Sequence, residues 1–214
     1  MADTYLTKTY STGGNQKTFT FSAWVKRSKL SVAMQIFGQQ VSNYFRIMFH
    51  TTDCVRVYSP TMDLQSERLF RDTSGWYHIV VAVDTTQAAG TDRCKIYING
   101  DIIPYTSGYS TETYPNQNDD LPVSTAHLHK IGAGNSTDYF DGIMSHIHFC
   151  DGTMYNALTF GETDATTGEW KIKTSPSVTY GDNGFFILKD GNSVTDQSGE
   201  SNNWAVAGTA LTNT

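Results

Sequence analysis

The feature that most constrains this chain is a two-residue alternation of apolar and polar side chains, repeated in short segments between Gly, Pro, Asn, Asp and Ser. In residues 18–26 one side reads Phe19, Phe21, Ala23 and Val25, and the other Thr18, Thr20, Ser22, Trp24 and Lys26. That is the pattern of a strand with one face on a core. Residues 43–50 and 54–58 repeat it. Phe45, Ile47 and Phe49 are predicted to point inward beside Val55 and Val57, with Tyr44, Arg46, Met48, Arg56 and Tyr58 outward. Thr51, Thr52 and Asp53 suit a tight hairpin connection. Residues 76–84, WYHIVVAVD, are nearly continuously apolar and read as a central strand. Residues 93–99 follow and end in Asn99-Gly100, a strong short-range signal for a primed hairpin turn. Further strands are expected at 127–131, 139–150, 185–189 and 203–207, and a long surface loop at 106–125. Residues 62–71 are the one contender for helical periodicity and match it poorly. The reading is an all-β, two-sheet antiparallel jelly-roll sandwich. Residues 1–214 form one domain, with C-terminal strands at about 185–207 completing it.

Bulk properties narrow the functions open to such a domain. A chain of 214 residues suits a single large sandwich. Its 12 Tyr and 11 Phe favour half-buried pleated surfaces. The net charge of −6 and the lack of a basic stripe argue against nucleic acid as a partner. An acidic surface does not favour anionic membranes, and no run approaches 18 apolar residues, so no membrane insertion is expected. Neutral glycans remain open. Cys54, Cys94 and Cys150 are isolated and odd in number, which fits small buried hydrophobes in a protein made in a reducing cytoplasm. The N-terminus has no basic stretch followed by an apolar one, so no signal peptide is expected.

Several segments form a recognisable set: FTFSAWVKRS, IFG, WYHIVVAVDTTQ, CKIYINGD, IGAG and YFDGIMSHIHFCDG. Together they resemble the laminin-G-like domains of the concanavalin A-like lectin/glucanase superfamily, over roughly residues 5–150. The remainder carries Phe160-Gly161-Glu162-Thr163, Thr167-Gly168-x-Trp170, Tyr180-Gly181-x-Asn183-Gly184-Phe185 and Asp196-x-Ser198-Gly199. This tail is similar to proteins of marine phages and large aquatic viruses. The resemblance implies a virion surface module made in the host cytoplasm, with host-surface glycan, other virion proteins or further copies of itself as partners. Such proteins are usually longer, so a chain ending at Thr214 reads as a trimmed domain. D-x-S-G-x-x-N commonly lies near the start of laminin-G-like domains, whereas here it spans 196–202. The C-terminal strands are therefore expected to fill a slot usually taken by N-terminal ones, as in a circular permutation.

Candidate chemistry is sparse. Laminarinase-type relatives use E-x-D-x-x-E on one strand; the nearest approach, Glu162-Thr-Asp164-Ala-Thr-Thr167, lacks the last carboxylate and lies in a Gly/Thr-rich stretch. No nucleophile elbow or phosphate loop occurs, and no enzyme activity is expected. His127/His129 and His146/His148 could make a metal site only if their strands were neighbours with facing rings. Calcium is the metal the resemblance implies, and Asp196, Ser198 and Asn202 form an oxygen-rich turn. The preferred reading of that turn is one that merely bonds its own backbone. For saccharides the outward side of the first hairpin offers Tyr44, Arg46, His50, Arg56 and Tyr58. The competing reading is a cross-strand Tyr/Arg face that stabilises the sheet by stacking. Two roles follow: non-catalytic recognition of host-surface glycan, or a purely structural decoration, spike or fibre segment that assembles with its neighbours.

Overall fold

The alternating segments fold into two antiparallel sheets, in a computed structural model that describes residues 3–40, 44–134 and 137–209. The eight-stranded sheet runs in the order β10 (Tyr109–Thr113), β6 (Met62–Leu69), β5 (Cys54–Ser59), β4 (Arg46–Phe49), β3 (Met34–Gln39), β11 (Leu128–Ile131), β1 (Tyr5–Thr9), β16 (Ala205–Ala207). The six-stranded sheet runs β15 (Phe185–Ile187), β12 (Gly142–Asp151), β2 (Thr18–Arg27), β7 (Tyr77–Asp84), β8 (Cys94–Ile98), β9 (Asp101–Ile102). A separate ribbon pairs β13 (Gly161–Thr163) with β14 (Trp170–Ile172). The Asn99-Gly100 turn joins β8 to β9, with φ of 50° and 92°, the positive values a primed turn requires.

The core lies between the sheets, on the faces the alternation assigned inward. Phe19, Phe21, Ala23, Val25, Phe45, Ile47, Phe49, Val55 and Val57 are all buried there. Phe37 of β3 joins the layers, with ring centroids 4.8 Å from Phe21, 5.7 Å from Phe149 and 6.4 Å from Phe185. Burying a ring of this size is worth about 1.5–3 kcal/mol. All three cysteines are free and buried. Both C-terminal strands complete a sheet, β15 at the edge beside β12 and β16 beside β1. Trp204 packs on Phe185 at 4.9 Å.

Residues 62–71, which matched helical periodicity poorly, supply a strand: Met62, Leu64 and Ser66 alternate inward along β6, flanked by β5 and β10. Two expectations are corrected. The stretch 106–125 is more than a loop, since it supplies edge strand β10 and buries Leu121 and Val123 completely. Most consequential, Thr20, Ser22 and Trp24, assigned outward on β2, are 0%, 0% and 7% exposed. The outer face of the six-stranded sheet is covered by residues between 155 and 180. Ala157 and Phe160 bury against Val80 and Cys150, with Tyr155, Trp170, Val178 and Tyr180 packed around them. Among the described residues no helix is long and apolar enough to cross a membrane.

A chain cut after Asp190 loses β16, Trp204 and the Asp196 carboxylate that accepts the Phe186 amide at 2.8 Å. The shortened chain is expected to aggregate on size exclusion and to lose cooperative urea unfolding. A monodisperse truncation that unfolds in one sharp transition contradicts this role for the C-terminal strands.

Candidate functional site

The first hairpin fixes this row of side chains by register: Arg46 stands opposite Tyr58 and Met48 opposite Arg56, although Met48, expected outward, is buried at 4% exposure. Tyr44 and Tyr58 stack with centroids 5.4 Å apart and planes at 29°. The Arg46 guanidinium lies 4.1 Å over Tyr44 and that of Arg56 lies 4.7 Å over Tyr58. Asp63 of β6 holds Arg56 in a two-point fork at 2.9 and 2.7 Å, and Asp138 lies 3.5 Å from Arg46. The Asp63 hydrogen bond raises the Arg56 pKa above its ordinary value. Four of the five expected residues thus form one preordered array of rings and guanidinium planes. His50 is not part of it. It sits past the end of β4, where its ring meets Thr52 Oγ1 at 3.2 Å.

The oxygen-rich turn is spent on itself. Asp196 Oδ1 accepts the amides of Phe186 and Ser198, and Oδ2 accepts the Ser198 hydroxyl and the Asn202 amide, all at 2.7–2.9 Å. The Asn202 side-chain amide donates to the carbonyls of Asp182 and Gly184, each at 2.8 Å. A carboxylate has about four acceptor positions, and chain donors take them here, so Asp196, Ser198 and Asn202 do not fit a calcium site. The histidine pairs do not meet, because β11 and β12 belong to different sheets. His129 faces the core beside Tyr10, at 5.0 Å. His148 lies on the outer face, stacked 3.9 Å from Phe186, its Nδ1 2.9 Å from the Tyr180 hydroxyl. No group of three or more His, Cys, Asp or Glu among the described residues is arranged to hold a metal.

Glu162 and Asp164 belong to the outer ribbon, and Glu162 lies in strand β13 rather than in a loop. Both carboxylates face Lys171, at 3.5 and 3.0 Å. The Lys171 hydrogen bond and two backbone amides lower the Asp164 pKa to about 2. A general acid needs the opposite shift.

The ribbon is pinned to the sheet through Trp170. Its indole N–H donates to His78 Nδ1 at 3.0 Å, so His78 Nε2 carries the proton and donates to Ser22 Oγ at 2.9 Å. The same imidazole stacks on Trp24 at 4.8 Å and 10°. Gly100 and Gly161 are needed beneath the indole: a Cβ at either would come within 2.8 and 2.4 Å of the Trp170 ring. Beside the ribbon opens a groove bounded by Trp24, Trp76, Ile143, Met144, Lys171 and Asn192. Sequence reading did not single out this groove. Its signal was two tryptophans at solvent-side positions, one on β2 and one just before β7.

Residues 2–157 match the family model for the concanavalin A-like lectin/glucanases superfamily, in its laminin-G group. The chain belongs to that family. No curated protein sequence matches it. Among solved structures it is similar to a native heptameric SAP-like pentraxin from Limulus polyphemus, at 13% identity and a TM-score of 0.53. That match covers 88% of this chain and 86% of the pentraxin. A Trypanosoma rangeli sialidase matches at 14% identity and a TM-score of 0.44, over 67% of this chain but only 22% of the sialidase. At these identities the likeness concerns the fold.

Burial keeps three histidines neutral: it lowers the pKa of His78 to about 3, of His129 to about 4, and of His148 well below the ordinary 6.5. In the unfolded chain each returns towards about 6.5. Their contribution to stability is therefore complete above pH 6.5 and is lost as pH falls from there towards 4 and 3. Urea unfolding between pH 7 and 5 is expected to show stability falling by up to ~1.4 kcal/mol per pH unit for each histidine. Stability that is flat across this range contradicts burial of the neutral rings.

Proposed function

We propose that this domain is a non-catalytic carbohydrate-recognition module on the surface of a virus or phage particle, binding host-surface glycan. The observation that carries the reading is the Tyr44–Tyr58 stack with its two overlying guanidinium groups. Rigid aromatic rings and planar donors on a solvent-facing sheet supply contact area and hydrogen bonding at little entropic expense. Membership of a lectin/glucanase superfamily is consistent with it. A non-catalytic role is supported by the state of the nearest acid pair, which is ion-paired to Lys171. The virion setting rests on the motifs from Phe160 onward.

An assembly role is the second reading. Behind it stand the similar pentraxin, described as heptameric, and edge strand β16, which exposes 44% of Val206. The two roles are compatible, because several copies on one particle multiply weak saccharide affinity.

A glycan array probed with the purified domain tests the proposal. Selective binding is expected, reduced roughly tenfold or more by Tyr58→Ala and by Arg56→Ala. Silence across the array overturns glycan recognition. Binding that survives both substitutions removes the hairpin face from it.

A further inference from the structure

We propose that Asp63 sets the ligand class of the hairpin array, making it selective for neutral glycan over sialylated, uronic or sulfated glycan. This selectivity rests on glycan recognition by that array and names the glycans it admits.

The register of β6 against β5 sets Asp63 opposite Tyr58 and Gln65 opposite Arg56. From there the Asp63 carboxylate reaches diagonally to Arg56, Oδ1 accepting from Nε at 2.9 Å and Oδ2 from Nη2 at 2.7 Å. The Gln65 amide approaches both oxygens at 3.4 Å. Both side chains of the fork are 23% exposed, so a ligand on this face can reach each of them. Asp138 lies 3.5 Å from Arg46. Each guanidinium of the array therefore has a carboxylate beside it.

The fork decides which ligands fit. The bidentate edge of an arginine is the one that clamps a carboxylate or sulfate, and on Arg56 Asp63 already occupies it. What remains open is a mixed edge. Arg56 keeps N–H donors that the fork does not use, and a carboxylate has about four acceptor positions, more than the fork and one long amide contact fill. A sugar hydroxyl both donates and accepts, so a vicinal diol can serve Arg56 and Asp63 together. A ligand carboxylate or sulfate only accepts. It would have to displace Asp63 from the fork or lie against it, and against Asp138, where like charges repel. The net charge of −6 on the whole chain acts in the same direction.

The test is a glycan array of matched pairs, each core with and without a terminal sialic acid or sulfate, probed with the whole chain and its variants. Wild type is expected to bind neutral members and to lose roughly tenfold or more on their acidic partners. Asp63→Asn keeps the shape and frees the charge of Arg56. It should weaken neutral binding and strengthen acidic binding, with an acidic gain that fades as salt is added. Glu162→Gln makes the same change in net charge on the outer ribbon and should leave the neutral-to-acidic ratio as it was. If Asp63→Asn does not melt cooperatively, Asp138→Asn repeats the experiment at Arg46. Acidic preference in wild type, a ratio unmoved by freeing the arginine, or an equal shift in Glu162→Gln overturns the selectivity and leaves glycan recognition standing. Silence of wild type on every pair overturns recognition, and the selectivity with it.

Discussion

The central strands of the six-stranded sheet, β2 and β7, are buried on both faces, and the rest of the structure follows from that constraint. One face of β2, β7 and β12 closes the main core. The other carries Ser22, Trp24, His78, Val80, Cys150 and His148, which is too much apolar and neutral-imidazole surface to leave in water. The chain beyond β12 returns across it. Trp170 and Tyr180 each engage one of those imidazoles, so this polar interior is satisfied by segments far apart in sequence. Neutral histidines are what burial selects, since charging one there would cost several kcal/mol.

How much of this was legible depended on how local each feature was. The inward rows of β2, β4 and β5 could be read directly, because alternation along a strand is a property of adjacent residues. The Asn99-Gly100 turn was readable for the same reason. WYHIVVAVD carried a partial signal of two-sided burial, since a strand covered on both faces loses its alternation. What the sequence did not display was the covering element. Thr20 and Ser22 look solvent-facing until residues from Thr153 to Tyr155 arrive to bond Thr20, and Trp170 arrives over His78. Strand β10 was hidden by its Gly, Ser and Pro surroundings and exists because the edge of β6 was open.

The same rule separates the two candidate surfaces. The Tyr/Arg array lies within one hairpin, so its members could be named in advance, and only His50 was misplaced, by extending the outward row past the strand end. The groove could not be named. Its walls come from β2, the approach to β7, β12, the ribbon and the turn near Asn192, which only the fold assembles. Asp196 shows the converse case: of the two readings its oxygen-rich turn allowed, a metal ligand set or a turn bonding its own backbone, the hydrogen bonds fit the second, which joins β15 to the segment before β16.

The central claim is that the ribbon and its flanks are an integral layer of the sandwich, and hydrogen exchange measures it most directly. The account predicts that the Trp170 indole N–H and the amides paired between β13 and β14 exchange as slowly as those of β2 and β7, opening only with global unfolding. Ribbon protons exchanging orders of magnitude faster, while the core strands stay protected, would contradict it and reduce the covering layer to a loosely attached flap.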